Sequence, residues 1–217
     1  MGRIWASTSI ILTVVFVVVV LAMHLLEPEV DPFVSGISFY ALGTYGVLIG
    51  LGLASVGVAG IALAAALWRA TVSPAVRVGL ALLVAWGLSS MTAGLFPLDA
   101  PGTSPTLSGT IHGVAGLNFL LIVPAVLLIE LAPSRSLAPD QPRRSTVWLA
   151  WGILVAAVSL FVFNGPLSSL HVGGAVQRLY WLVLAAWLLA RACRARVEGA
   201  ALADAPGIPS RPAGCGR

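Results

Sequence analysis

Three histidines, one aspartate and one arginine are the side chains of this sequence best suited to chemistry: His24, His112, His171, Asp99 and Arg178. They stand in a chain of 217 residues of which 59% are hydrophobic and only 9% charged. Imidazole and carboxylate suit zinc, and a catalytic zinc takes three protein ligands and keeps a fourth position open. His24, His112, His171 and Asp99 are therefore the candidate metal set. No two of these histidines have the i,i+4 spacing that puts two ligands on one helix face, so a metal would require them to converge from separate elements. Without a metal, His112 and His171 would hydrogen-bond or exchange protons, and Arg178 would anchor an anionic group. Ser104, Ser108, Ser168 and Ser169 lie near a histidine in sequence, but none stands in a nucleophile-elbow context.

The elements that must position these residues are long apolar runs. Six can be marked: Ile4–Leu26, Ile37–Trp68, Val78–Phe96, Ile111–Leu131, Val147–Phe163 and Val172–Ala190. The mean hydropathy is +0.99, whereas a soluble domain carries roughly 25% charged residues. A helix rising about 1.5 Å per residue crosses a hydrocarbon core of about 30 Å in about 20 residues. Lipid offers the backbone no hydrogen-bond partner, so the runs must be helices. The fold class is an all-α integral membrane protein, a six-transmembrane-helix bundle over residues 1–196. The second run is too long for one untilted crossing, and its first part, Ile37 to Tyr45, lies in the interface or tilts. The first run is too long for the h-region of a signal peptide, about 7–15 residues, and no A-x-A site follows it; it is a retained helix. From Val197 to Arg217 the chain is Gly/Pro/Ala-rich and reads as a disordered cytoplasmic tail.

Charge orients the bundle. All twelve basic residues are arginine. Arg3 precedes the first run, Arg69 and Arg77 lie between the second and third, and Arg135, Arg143 and Arg144 between the fourth and fifth. Arg191, Arg194, Arg196, Arg211 and Arg217 follow the sixth, and the other three loops contain none. The positive-inside rule puts both termini in the cytoplasm. A net charge of +4 is explained by this topology and by anionic headgroups, and nucleic acid is not a partner. Cys193 and Cys215 fall on the same reducing side, so no structural disulfide is expected.

This topology gathers His24, His112, His171 and Asp99 at the extracytoplasmic end, with Glu27, Glu29 and Asp31 in the first outer loop. Arg178 lies two turns after His171, roughly 10 Å deeper at about 1.5 Å per residue. An arginine inside a span costs about 2.5–3.5 kcal/mol on insertion scales and faces the interior with a partner; Asp99 or a bound anion is the expected one. Gly43, Gly46, Gly50, Ala54 and Gly57 form a small-residue stripe suited to close helix packing. Pro124 should kink the fourth helix. LSGTIHGVAG before the fourth run echoes LSSLHVGGAV before the sixth, bringing His112 and His171 to within one place of matching; duplication and the shared needs of a helix start both account for it.

Three pieces carry a family resemblance. In HLLEPEVDPFVSGISFYALGTYG, Ser38, Tyr40 and Gly43 match a Ser-x-Tyr-x-x-Gly element, although Phe39 stands where an acid is expected. In GLFPLDAPG…HG, Phe96, Pro97, Asp99 and His112 match. A GxxQR-like element supplies Gly174, Gln177 and Arg178. On these the chain resembles the multipass membrane family known as domain of unknown function 998. The resemblance implies six helices in a bacterial or archaeal plasma membrane and no established activity. The histidines and aspartate are also similar to those of integral-membrane zinc hydrolases of the alkaline-ceramidase and adiponectin-receptor kind, but those have seven helices and a paired H-x-x-x-H, and here Ala175 stands four residues after His171.

The sequence thus reads as a plasma-membrane protein with a polar pocket open to the outside. Asp99, His112, His171 and Arg178 build it, with Ser38 and Tyr40 as further ligand-binding side chains. Its expected partners are membrane lipids, and its expected role is binding or handling a lipid headgroup or small amphiphile, without a resident cofactor. The alternatives are a zinc-dependent membrane hydrolase using the same residues and a structural or accessory membrane subunit; whether the protein is an enzyme is left open.

Overall fold

The computed structural model describes residues 2–132 and 141–204, with side chains described to residue 132 and from 144 to 198. Seven α-helices follow one another: α1 (Gly2–Leu26), α2 (Gly46–Trp68), α3 (Pro74–Leu95), α4 (Leu107–Gly116), α5 (Phe119–Leu131), α6 (Gln141–Asn164) and α7 (Gly173–Asp204). Short 3-10 helices occupy Ile37–Leu42 and Ser168–Leu170. Among the described residues there is no strand. Six segments are long and apolar enough to cross a membrane, α4 and α5 together making the fourth, so this is a membrane protein of six-helix architecture.

The helices form a ring in chain order. Each span packs on the next, and α7 closes the ring on α1, with α2 also touching α7 inside it. Phe16, Trp86, Tyr180, Trp181, Leu184 and Trp187 fill the centre. The lipid-like faces are equally clear: Ile11, Val18 and Leu25 on α1, and Trp148, Val155 and Phe161 on α6, are exposed.

Two devices hold the ring together. The first is the small-residue stripe of α2, which crosses α3 backbone to backbone. A Cβ added at Gly50 would lie 2.6 Å from the carbonyl oxygen of Gly94, and one at Gly87 would lie 2.5 Å from that of Gly57. Only glycine permits that approach. The second is a buried ion pair at the arginine-rich end. Glu130 of α5 lies 3.0 Å from Arg191 Nε of α7. The Trp187 indole donates to the same carboxylate at 3.1 Å and the Thr146 hydroxyl of α6 at 2.8 Å. One carboxylate therefore ties α5, α6 and α7. Glu130 was not among the residues singled out from the sequence.

The second apolar run divides, as its length required, into the 3-10 helix Ile37–Leu42 and α2, whose first residue is Gly46. Two boundaries differ from the sequence reading. The fourth span breaks between α4 and α5, whereas α5 runs on through Pro124. The amides of Asn118 and Leu121 bond to the carbonyls of Ala115 and Asn118, which tightens the chain just ahead of the proline. Pro124 is the sixth residue of the restarted helix, so its missing N–H leaves the carbonyl of Leu120 without its intrahelical donor. Helix α7 continues to Asp204, past Val197, where the disordered tail was expected. Residues 205–217, the linker 133–140 and the side chain of Arg143 lie outside the described residues, and with them Arg135, Arg211, Arg217 and Cys215.

Replacing Gly57 by Val should lower the thermal midpoint in detergent by an overpacking cost of about 1–3 kcal/mol. Gly113→Ala should not lower it, since nothing lies within 4 Å of a Cβ there and alanine is the better helix former. Glu130→Ala leaves Arg191 with an unmatched charge in a largely buried position and should cost about 3–5 kcal/mol, read by the same melting experiment.

Candidate functional site

Arg178 organises the end of the bundle that carries the histidines. Its Nε donates to His24 Nε2 at 2.9 Å and its Nη2 to the Tyr40 hydroxyl at 3.0 Å. Its Nη1 reaches three carbonyls: Pro32 and Ser35 at 2.7 Å each, and Gly174 at 3.1 Å. The guanidinium carbon also sits 5.6 Å from the centre of the Tyr40 ring, within cation–π range. His24 Nδ1 lies 2.7 Å from the carbonyl of Val20. A carbonyl can only accept, so Nδ1 carries the proton and Nε2 offers its lone pair to the arginine. Arg178 is interior and paired, as its position demanded. Its partners are His24, Tyr40 and the first loop; the expected partner, Asp99, is engaged elsewhere.

The rest of the GxxQR element serves the same clasp. Gln177 Oε1 accepts from the Ile37 amide at 2.6 Å, and the Ala175 amide donates to the Phe33 carbonyl at 3.1 Å. A Cβ on Gly174 would come within 2.5 Å of the Ser35 carbonyl oxygen, so the loop can lie on α7 only because that residue is glycine. Glu27, at the start of the loop, is buried and accepts from the Tyr45 amide at 2.6 Å, at the first turn of α2. An anion is favoured there by the helix dipole.

A second polar cluster closes the α3–α4 connection. His112 Nδ1 lies 2.8 Å from the Phe96 carbonyl and 3.0 Å from that of Ala93, so this histidine satisfies the open end of α3. Ser108 gives its hydroxyl to the Pro97 carbonyl at 2.9 Å. Asp99 accepts from the Thr106 amide at 2.9 Å and from its hydroxyl at 2.6 Å, and that hydroxyl accepts from the Gly109 amide as the N-cap of α4. The bond from the Thr106 hydroxyl, then that from its amide, holds the Asp99 carboxyl below its ordinary value of 3.8.

His171 lies apart from both clusters. It is exposed, in the left-handed conformation with φ 53°, and ends the 3-10 turn Ser168–Leu170. The three histidines therefore occupy three different settings, and among the described residues no three His, Cys, Asp or Glu side chains converge as a metal site would need.

What the structure does bring together is a cavity of about 70 Å³ in the middle of this end. Ser38, His112, Asn118, Gln177 and Tyr180 supply its polar walls, and Leu53, Leu160 and Trp181 are among the apolar ones. The Tyr180 hydroxyl and the Trp86 indole nitrogen are buried against each other, the indole N–H directed at the phenol oxygen, and neither has another hydrogen-bond partner. Of the six ligand-binding residues expected from sequence, Ser38 and His112 line the cavity. Tyr40 and Arg178 belong to the clasp, Asp99 holds the start of α4, and His171 is on the surface. Tyr180 escaped the sequence reading because a tyrosine in an apolar run looks like core, and Asn118 because its run lies far in sequence from Gln177.

Arg178→Ala should open the first loop to limited proteolysis between Glu27 and Ile37 while the six helices persist by circular dichroism. Arg178→Lys should not restore protection, because one ammonium cannot span five acceptors on two sides of a planar fork.

The chain matches no curated protein and no solved structure. The family model of DUF998, described as a protein of unknown function, matches residues 10–194, which takes in most or all of each of the six spans, the Arg178 clasp and the cavity. The chain belongs to the DUF998 family of membrane proteins.

Proposed function

We propose that this protein binds the polar end of a small membrane amphiphile in the cavity between Ser38, His112, Asn118, Gln177 and Tyr180. The observation that carries the reading is the Tyr180 O–H, buried beside the cavity with only the Trp86 indole against its oxygen and no acceptor for its proton. An unmade hydrogen bond at a buried donor costs about 1–3 kcal/mol, and an occupant that completes it recovers that energy. At about 70 Å³ the cavity holds one small polar group rather than a whole headgroup. The arginine distribution directs this end outward under the positive-inside rule, so the amphiphile would come from the outer leaflet of a prokaryotic plasma membrane.

In this reading Arg178 shapes the site without touching the ligand. Its donors go to His24, Tyr40 and the loop carbonyls, and the loop it fastens carries Ser38 to the cavity. The same saturation favours a second reading, a structural or accessory subunit in which the polar residues satisfy one another.

Native mass spectrometry of the detergent-purified protein separates the two. Binding predicts a retained small-amphiphile adduct in the wild type that Gly116→Leu abolishes. A Cβ at Gly116 meets nothing within 4 Å and the residue lines the cavity, so the larger side chain is accommodated without disturbing the fold and stands across the cavity's mouth. Folded wild type with no adduct, or an adduct that Gly116→Leu leaves in place, would favour the accessory subunit.

A further inference from the structure

The cavity's walls carry information about its occupant that its position alone does not. None of its lining side chains is an aspartate, glutamate, lysine or arginine. Each polar group is already partly committed within the protein, and what remains can be worked out. His112 directs its Nδ1 proton to the carbonyls at the end of α3, so its Nε2 bears a lone pair and accepts. Asn118 donates Nδ2 to Ser90 Oγ at 3.0 Å, which leaves its carbonyl oxygen to accept. Gln177 uses its oxygen on the Ile37 amide, which leaves its NH₂ to donate. Tyr180, whose oxygen faces the Trp86 indole N–H, has its own O–H proton without an acceptor. The cavity therefore offers acceptors and donors side by side and no net charge. An anion would meet the two acceptors unfavourably, and a cation would find no carboxylate. A hydroxyl group, donor and acceptor in one, answers both kinds of wall.

The way in is also visible. Helix α4 packs on α3 and has no extended contact with α6 or α7. The cavity lies between Gly116 of α4 and Leu160 of α6, and side chains added at Gly113 or Gly116 would meet open space. Elsewhere the ring is closed, with each span packed on its neighbours. The slack between α4 and α6 falls on the flank of a membrane-spanning bundle, where the surrounding medium is lipid.

Building on the amphiphile reading, we infer that the cavity takes the uncharged hydroxyl end of a neutral lipid, admitted sideways between α4 and α6. The lipid's tails stay in the membrane, and only the hydroxyl and its carbon reach the side chains of His112, Gln177 and Tyr180. Chain length and saturation then matter little, while the chemistry of the terminal group matters much.

The test uses the full chain in phosphatidylcholine nanodiscs, titrated by native mass spectrometry with four probes. Diacylglycerol has one free hydroxyl, phosphatidic acid replaces it with a phosphate, triacylglycerol esterifies it, and glycerol has hydroxyls without tails. Diacylglycerol should bind at least ~10-fold more tightly than the other three. Tyr180→Phe, which keeps the ring and should melt as the wild type does, should erase ~10-fold of that preference, the loss of one hydrogen bond from a buried site. Preference for phosphatidic acid would overturn the uncharged ligand while leaving an amphiphile site. Equal binding of the three lipids, unchanged by Tyr180→Phe, would mark ordinary lipid contact and overturn the inference. Glycerol binding as well as diacylglycerol would overturn entry from the membrane. No binding by any probe, together with no adduct on the purified wild type, would overturn the amphiphile reading itself.

Discussion

A guanidinium never loses its proton in a protein, and an apolar bundle can contain one only if its N–H groups are met. That constraint shapes one end of this molecule. Arg178 collects an imidazole, a phenol and three carbonyls, and no carboxylate is among them. The first loop is bent so that Pro32 and Ser35 present their carbonyls to α7, and Gly174 is glycine so that they can come close enough. His24 is fixed in one tautomer by Val20 so that it can accept. The loop is thus a solvation shell for a buried cation, built from the chain itself. The segment that solvates the arginine is also the segment that delivers Ser38 to the cavity, so the charge and the cavity are parts of one arrangement.

The opposite end solves the same problem differently. There the cation, Arg191, meets a carboxylate, and Glu130 takes two further donors from Thr146 and Trp187. Replacing a buried pair with apolar residues often costs nothing, whereas removing one partner costs several kcal/mol. Such a pair therefore fixes which helices meet and in what register more than it adds stability. Between these two polar ends the glycine crossing of α2 and α3 draws two spans into backbone contact. Three constraints on a ring of six leave one place free of them, the α4 side.

The overall architecture was legible because it depends on quantities that sum along the chain. Apolar runs, the spacing of arginines and the stripe from Gly43 to Gly57 each report on one helix at a time. The site was less legible because it depends on which helices face each other. The insertion cost of an arginine pointed to Arg178 and to an interior partner. It could not choose between Asp99 and His24, since Asp99 is closer to a conventional partner in charge but is held by Thr106. The echo between LSGTIHGVAG and LSSLHVGGAV misled in a specific way. His112 falls within α4, where it can reach back to α3, whereas His171 precedes α7 and ends a 3-10 turn. The echoed strings sit differently on their helices, His112 five residues after the start of α4 and His171 two residues before that of α7, which sends one ring inward and the other to the surface. Glu130 was legible in principle, as an acid within an apolar run, by the same cost that revealed Arg178.

The break in the fourth span connects these observations. An uninterrupted helix from Leu107 to Leu131 would carry both ends of the span along one straight axis. Here the carbonyl of Ala115 is taken by the Asn118 amide and by the Ser89 hydroxyl of α3 at 3.0 Å, and Asn118 itself bonds to Ser90. Those bonds hold α3 to the break and let α4 take its own direction, anchored to the end of α3 by His112 and to the α3–α4 connection by Ser108 and Thr106. Every polar anchor of α4 named here is to α3 or to the connection before it. A helix tied on one side and broken from its continuation stands off from the other side of the ring. The cavity follows from that geometry, and Tyr180 on its wall keeps an O–H for which the protein supplies no acceptor.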